Sequence, residues 1–281
     1  GFEVRERVRE GYAEIARKSD AAGAASSCCG GGGCCGPVSV DAGELARSIG
    51  YDADELAALP EGANLGLSCG NPQAIAELKE GEVVVDLGSG AGFDCFLASP
   101  RVGATGRVIG VDMTAEMIAK ARRNLESHRT ATGLDNVEFR LGEIEHLPLG
   151  DGSVDCVMSN CVINLSPDQG QVWRDVARVL RPGGRVAVSD LALKKALPDG
   201  VRGMVDALIG CVAGASLIDD IRAMAEAAGL TDVRIEERDG YVESLSGSGD
   251  PLYAKITSAL PKGETPSDFV TSALITARKP G

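Results

Sequence analysis

Val83–Cys95 reads VVVDLGSGAGFDC, and this stretch decides the fold. Val83, Val84 and Val85 begin a short β-branched apolar run, the pattern of a strand buried on both faces. Gly88, Gly90 and Gly92 follow at alternate positions. Glycines placed so allow a sharp turn and let bare backbone approach a ligand. Asp94 to Ser99 then opens a helix. Asp86 stands in the strand just before the first glycine. The spacing is G-x-G-x-G, not the G-x-G-x-x-G of dinucleotide sites. A second acidic residue, Asp112, ends the next apolar run about 20 residues on, the distance at which a ribose hydroxyl is held.

On either side of this unit, strand and helix patterns alternate. Strands are expected at Arg107–Asp112, Asn136–Leu141, Val154–Ser159 and Arg185–Ser189. Helices are expected at Ala115–Thr132 and Gln169–Leu180, the second stopped by Pro182-Gly183-Gly184. Before the first strand, Asn71 suits a helix cap and Pro72 the first helical position, with Gln73–Lys79 continuing to Gly81. Such alternation implies an α/β fold with a parallel sheet and helices on both faces, spanning residues 69–190. Beyond Asp190 a smaller α+β region, residues 191–281, carries helical patterns at Val201–Val212, Ile218–Ala228 and Leu252–Leu260. Its strands are expected at Val233–Glu237 and Ser272–Ala277, placed to finish the sheet and cover the site. Residues 1–68 open with an amphipathic helix over 3–18, where Val4, Val8, Tyr12 and Ile15 recur at helical spacing. A glycine-rich loop, AAGAASSCCGGGGCCG, follows. Weaker helical patterns occupy Ala42–Ile49 and Asp54–Leu59.

Hydrophobic residues make up 44% of the 281, enough for a core, while aromatics make up 4%, so aliphatic side chains must fill it. Lys and Arg number 28 against 41 Asp and Glu, a net charge of −13. That balance disfavours nucleic acid, whose binding depends on neutralising phosphates with Lys and Arg. The N-terminal stretch is charged throughout and lacks the apolar core of a signal peptide. No run approaches the ~18 apolar residues of a membrane span. A cytoplasmic protein that binds neither membrane nor nucleic acid is expected.

Nine cysteines are unusual in such a chain: 28, 29, 34, 35, 69, 95, 156, 161 and 211. In a reducing cytosol they imply metal or metalloid binding, redox chemistry or burial rather than a disulfide framework. Cys161 follows a strand end, where open α/β sheets hold their ligands. Cys69, in NLGLSCGNP, precedes the Asn71-capped helix, whose N-terminus would favour thiolate. Its glycine-flanked setting is not that of a core residue. Cys211, in LIGCVAGA, looks buried from its neighbours alone, and Cys95 and Cys156 fall inside a helix and a strand of the core. The pairs in CCGGGGCCG do not have zinc-site spacing. His128 and His146 are the only histidines, and neither is placed as a general base.

The stretch VVVDLGSGAGFDC resembles motif I of class I S-adenosylmethionine-dependent methyltransferases. VIGVDMT around Asp112, GEIEHLP (142–148) and RPGGR (181–185) resemble three further motifs of that superfamily, in order. The resemblance implies a Rossmann-like sheet. It implies that Asp86, Gly88, Ser89 and Gly90 line S-adenosylmethionine, that Asp112 and Met113 take the ribose and adenine side, that Gly142, Glu143 and Ile144 frame the adenine, and that Asn160 faces the cofactor. Soft thiols beside a methyl donor suit a thiophilic substrate. NLGLSCGNP, SNCVINLSPD and GCVAGA together resemble the arsenite methyltransferases over nearly the whole chain. That resemblance implies that Cys69, Cys161 and Cys211 bind trivalent arsenic, with arsenite and methylated trivalent arsenicals as substrates, and reverses the local reading of Cys211. It also implies that an N-terminal cysteine pairs with Cys69 during turnover and that thioredoxin or glutathione resets the pair. Cys34 and Cys35 lie nearer in sequence than Cys28 and Cys29. The alternatives are a C- or O-methyltransferase of the quinone or sterol type, and a thiol-based metalloid-binding protein without catalysis. The cysteine-rich segment could equally be a metalloid-capturing arm or have no role.

Overall fold

The computed structural model describes residues 2–25, 42–202, 204, 212–238, 240–243 and 251–281. The valine run becomes β1 (Val83–Leu87), which lies inside a seven-stranded sheet. The others are β2 (Arg107–Asp112), β3 (Val137–Leu141), β4 (Val154–Asn160), β5 (Leu180–Leu193), β6 (Thr231–Arg238) and β7 (Val270–Arg278). Their order is β3-β2-β1-β4-β5-β7-β6. The first five strands run parallel. β7 inserts antiparallel between β5 and β6, so the sheet is mixed rather than parallel throughout. Strand order reverses between β1 and β4, and such a switch point opens a crevice at the carboxyl ends of the strands.

Described helices are α1 (Phe2–Ala25), α2 (Ala42–Ser48), α3 (Ala53–Ala57), α4 (Gln73–Ala76), α5 (Phe93–Val102), α6 (Ala115–Thr132), α7 (Gln169–Val179), α8 (Asp199–Arg202), α9 (Ile218–Ala227) and α10 (Pro251–Ala259). Successive strand residues point to opposite faces, and β1 shows what this achieves. Val84 packs with Phe96, Ile118 and Phe139 on the side covered by α5 and α6. Val85 packs with Trp173, Val176 and Ile221 on the side covered by α7 and α9. Both valines are fully buried, which explains why β1 lacks the polar alternation of a half-exposed strand.

Some elements differ from expectation. The helix after Asn71 stops at Ala76, not Lys79, because Glu77 adopts a left-handed conformation (φ 47°). The Arg185 guanidinium captures the carbonyls of Ala76 and Glu77, taking the acceptors a longer helix would need. Pro182–Gly184 forms an irregularity within β5: Val154 pairs with Leu180 and Cys156 with Arg185, leaving the intervening residues out of the ladder. Of the helix expected over Val201–Val212, the described residues include the start, in α8 (Asp199–Arg202). Most of the remainder lies outside the described residues. No helix among the described residues is long and apolar enough to cross a membrane.

Candidate active site

A cleft of about 980 Å³ opens at the carboxyl ends of β1, β2 and β4. Gly88, Ser89 and Gly90 reach it from the β1 turn, Asp112 and Met113 from the end of β2, and Asn160 and Cys161 from the end of β4. Asp86 and Ile144 also line it. Gly142 and Glu143 are not among the lining residues. Gly142 packs closely on Pro148, and Glu143 turns to Arg5 and Arg9 of α1, 3.7 and 3.9 Å away.

The glycine turn is tied down from behind. The Gly88 and Ser89 amides donate to the Val111 carbonyl at 2.8 and 3.1 Å. Asp112 accepts the Gly90 amide at 2.9 Å and the Thr114 amide at 2.8 Å, one on each carboxylate oxygen. At Gly88 (φ +65°) an added Cβ would sit 2.3 Å from Val162, whereas at Gly90 (φ +51°) it would meet nothing within 4 Å. Gly90 therefore forms open floor, and the buried Ser89 hydroxyl beside it has no hydrogen-bond partner. An unfilled floor and an orphaned hydroxyl are what a nucleoside-bearing ligand would satisfy.

The cleft is lined with carboxyl groups. Asp86, Asp94 and Asp112 are buried along it. Burial pushes the Asp86 carboxyl well above its usual range, with the neighbouring Asp94 charge adding to the effect. Burial also raises Asp94 and Asp112, against the hydrogen bonds that each accepts. Three desolvated carboxylates favour a cationic ligand. The Cys95 thiol donates to Asp86 at 3.3 Å, so this core cysteine also supports the site. Sequence reasoning missed Asp94, although its place in the first turn after the glycine loop was a usable signal. It also missed Glu145, a buried lining residue that accepts from Ser166 (2.6 Å) and Arg5 (3.2 Å). Arg5, Val8 and Tyr12 bring α1 over the cleft as a wall.

Cys161 adopts a left-handed backbone (φ 55°), a conformation that non-glycine residues rarely hold unless their surroundings enforce it. The Cys161 amide donates to the Ser189 carbonyl at 2.8 Å. Just downstream, buried Asp190 accepts the Ile163 amide (3.0 Å) and, at 2.8 Å, the Asn164 side chain. The Cys69 amide donates to Asn160 Oδ1 at 3.2 Å, and the Cys69 carbonyl accepts from Ser272 at 2.8 Å. The two sulfurs thereby meet at disulfide-bonding distance, with Cα atoms 5.9 Å apart. Contrary to expectation, Cys69 is buried, at 2% exposure. Its sulfur faces the oxygens of Asn160 and Ser189, at 3.8 and 3.7 Å, instead of the amides of a helix N-terminus.

Asp190 also lies within 4.8 Å of both sulfurs. Burial lifts its pKa to about 7. Both of its oxygens already accept protein hydrogen bonds, so it serves the Cys161 loop rather than offering a ready third ligand. Cys211 and the four N-terminal cysteines, 28, 29, 34 and 35, lie outside the described residues. No histidine lines the cleft. His128 is a buried residue of α6, and its Nε2 hydrogen-bonds Ser99 of α5 at 2.8 Å.

A seven-stranded sheet with its cleft at the β1/β4 switch point, and the match of residues 78–229 to the family described as a methyltransferase domain, define an S-adenosylmethionine-dependent methyltransferase of the class I fold. Within that class the chain belongs to the arsenite methyltransferase family. It is 48% identical over 280 residues to the arsenite methyltransferase of Halobacterium salinarum, an alignment covering 99% of this chain and 67% of that one. It is 37% identical over 157 residues to the human arsenite methyltransferase, covering 54% of this chain and 42% of the human one. The chain thus spans two thirds of the haloarchaeal relative and under half of the human one. Among solved structures, an arsenic (III) S-adenosylmethionine methyltransferase from Chlamydomonas reinhardtii superposes with a TM-score of 0.61 at 32% identity, covering 87% of this chain and 75% of that one.

Proposed function

We propose that this chain transfers methyl groups from S-adenosylmethionine to trivalent arsenic held on Cys69, Cys161 and Cys211. The observation that carries this reading is the meeting of Cys69 and Cys161 beside the donor cleft, from positions 92 residues apart in sequence. Arsenite, As(OH)₃, exchanges each hydroxyl for a thiol sulfur with release of one water, so three thiols release three waters. The arsenic keeps a lone pair. That lone pair would take the methyl of S-adenosylmethionine without a base: the As–C bond forms as the S–C bond breaks, the donor leaves as the neutral thioether S-adenosylhomocysteine, and arsenic becomes formally pentavalent. The chain's part is therefore placement. Asp86, Asp94 and Asp112 are carboxyls whose ionised form a cation would stabilise, Gly88–Gly90 let the donor lie against backbone, and α1 walls the cleft from water. The lack of a histidine in the lining accords with a nucleophile that has no proton to lose.

Methylated trivalent arsenicals are the further substrates in this reading. Returning the methylated, pentavalent arsenic to the trivalent state takes two electrons, which Cys69 and a second thiol would supply as they join in a disulfide; two electrons from a thiol reductant, thioredoxin or glutathione, would then reopen that disulfide for the next arsenical. The reading keeps Cys34 or Cys35 as an exchange partner of Cys69 and places the protein in the cytoplasm. Ile144 borders the adenine side, with Gly142 and Glu143 behind it and Glu143 anchoring α1. The test is incubation with arsenite, labelled S-adenosylmethionine and a thiol reductant, followed by arsenic speciation. Methylated arsenic is expected, and Cys161→Ser should abolish it while donor binding persists. A wild-type protein that yields no methylated arsenic under reducing conditions would overturn the proposal.

A further inference from the structure

Asn160 and Cys161 are neighbours, yet the Asn160 side chain reaches away from Cys161 into a buried cluster built from three other segments. Its Nδ2 lies 3.0 Å from the Tyr51 hydroxyl, 3.0 Å from the Gly70 carbonyl and 3.1 Å from Asp94 Oδ2. The Tyr51 hydroxyl donates to Asp94 Oδ1 at 2.8 Å. Gln73 completes the cluster, donating to the Asp94 carbonyl at 2.9 Å and to Oδ1 at 3.2 Å. Tyr51, Gln73 and Asp94 are 5%, 2% and 4% exposed. The Tyr51 ring is held edge-on to Phe93, with centroids 4.8 Å apart.

These contacts fix which way the Asn160 amide points. A peptide carbonyl can only accept, and a tyrosine that gives its one proton to Asp94 offers only lone pairs to its other neighbour. The NH₂ end must therefore face Asp94, Gly70 and Tyr51, which leaves the Asn160 oxygen facing the Cys69 amide at 3.2 Å. With Ser272 holding the Cys69 carbonyl, the Cys69 peptide is clamped at both ends, and its sulfur is turned onto Cys161.

We propose that Tyr51 is a positioning residue for the thiol pair: through Asp94 and Asn160 it orients Cys69 toward Cys161, so that the reduced pair can take one trivalent arsenical between them. The proposal rests on the reading that these thiols take arsenic. Tyr51 lies outside the span matched by the methyltransferase domain family, so the N-terminal region would contribute to the metalloid site through a hydroxyl group. Because Asp94 and Asn160 also line the donor cleft, one cluster borders both reactants.

The test uses the full chain, reduced, with phenylarsine oxide as a monosubstituted trivalent arsenical that takes two thiols. Wild type is expected to bind it and Cys161→Ser to lose it. Tyr51→Phe keeps the ring and removes the hydroxyl. It should weaken phenylarsine oxide binding about tenfold, the scale of one buried hydrogen bond, and lower kcat for arsenical methylation, with the donor KM changed less than about twofold on the same scale. Ser99→Ala, which breaks a buried network on the far side of α5, controls for a loss of stability alone and should leave both readouts at wild-type values. A Tyr51→Phe variant with wild-type affinity and kcat, or a Ser99→Ala variant showing the same losses, overturns the proposal. Failure of the wild type to bind the probe overturns the arsenical reading itself, and the positioning role with it.

Discussion

At the scale of single residues, the two glycines of the β1 turn have different tasks. Gly88 is needed because Val162 fills the space beside it. Gly88→Ala should lower stability by about 2–4 kcal/mol, the combined size of a left-handed alanine and an overpacked contact, read as a fall in the urea midpoint. Gly90 faces open floor, so Gly90→Ala should lower stability by only the ~1–2 kcal/mol of a left-handed alanine while obstructing the donor. Calorimetric titration with S-adenosylmethionine should then show a larger loss for Gly90→Ala than its stability implies. Asp112→Asn leaves an acceptor for only one of the Gly90 and Thr114 amides, turns an NH₂ toward the other and removes the charge. Donor affinity should drop about tenfold or more, as for loss of a charge-assisted hydrogen bond, with the fold retained. The glycines, Asp112 and the strand-end Cys161 were legible because their spacing along one strand-turn-helix unit is itself the signal. Tyr51, Glu145 and Asp190 were not, since each acts through partners tens of residues away. Cys69 misled, because the glycines flanking it suggest exposure while Asn160, Ser272 and Tyr241 draw its loop inward.

At the scale of elements, α1 deserves its length. The sequence pattern supported a helix over 3–18; the structure extends it to Ala25, and its later turns bring Asp20 to Lys120 and Arg123 of α6, at 2.6 and 2.7 Å. Arg17 meets Glu116 at 3.1 Å, and near the start of the helix Arg5 reaches Glu145. Exposed pairs contribute less than about 1 kcal/mol each, but the Lys120 side chain is only 9% exposed and would be left without its partner. Asp20→Asn should therefore loosen α1 by about 1–3 kcal/mol. Limited proteolysis should cut α1 faster, and the donor should dissociate faster. Unchanged proteolysis and dissociation would show that the apolar contacts of Val8 and Tyr12 hold the helix unaided. The parallel half of the sheet followed from alternation along the chain. The antiparallel entry of β7 did not, because strand order beyond β5 depends on which edge remains open rather than on any local pattern. The short α4 was equally hidden, since its stop is imposed by Arg185 from β5.

At the scale of the whole molecule, stability should depend on pH through buried groups that gain nothing from charge. Burial lowers the pKa of His128. Its contribution is complete above the unfolded value of about 6.5 and is lost as pH falls through the lower folded value. The urea midpoint should decline below about pH 6.5, and His128→Gln should remove that part of the decline. The raised carboxyls of the cleft have the opposite sign. Asp86 and Asp94 in the ligand-free protein contribute stability that is present below their unfolded range and lost as pH rises through their elevated folded values. A cationic donor offsets that loss, so the rise in Tm on adding S-adenosylmethionine should grow with pH.

The contact between Cys69 and Cys161 ties together two points 92 residues apart, enclosing β1 through β4. Closing a loop of that length restricts the unfolded chain by about 4–5 kcal/mol in the chain-entropy description. Oxidation would thus toughen the molecule against heat while disarming it, and the reducing agents that switch it on would soften it. A thermal melt and an activity assay run across a series of thiol-disulfide buffers should move in opposite directions, so that the most heat-resistant preparation is the resting one.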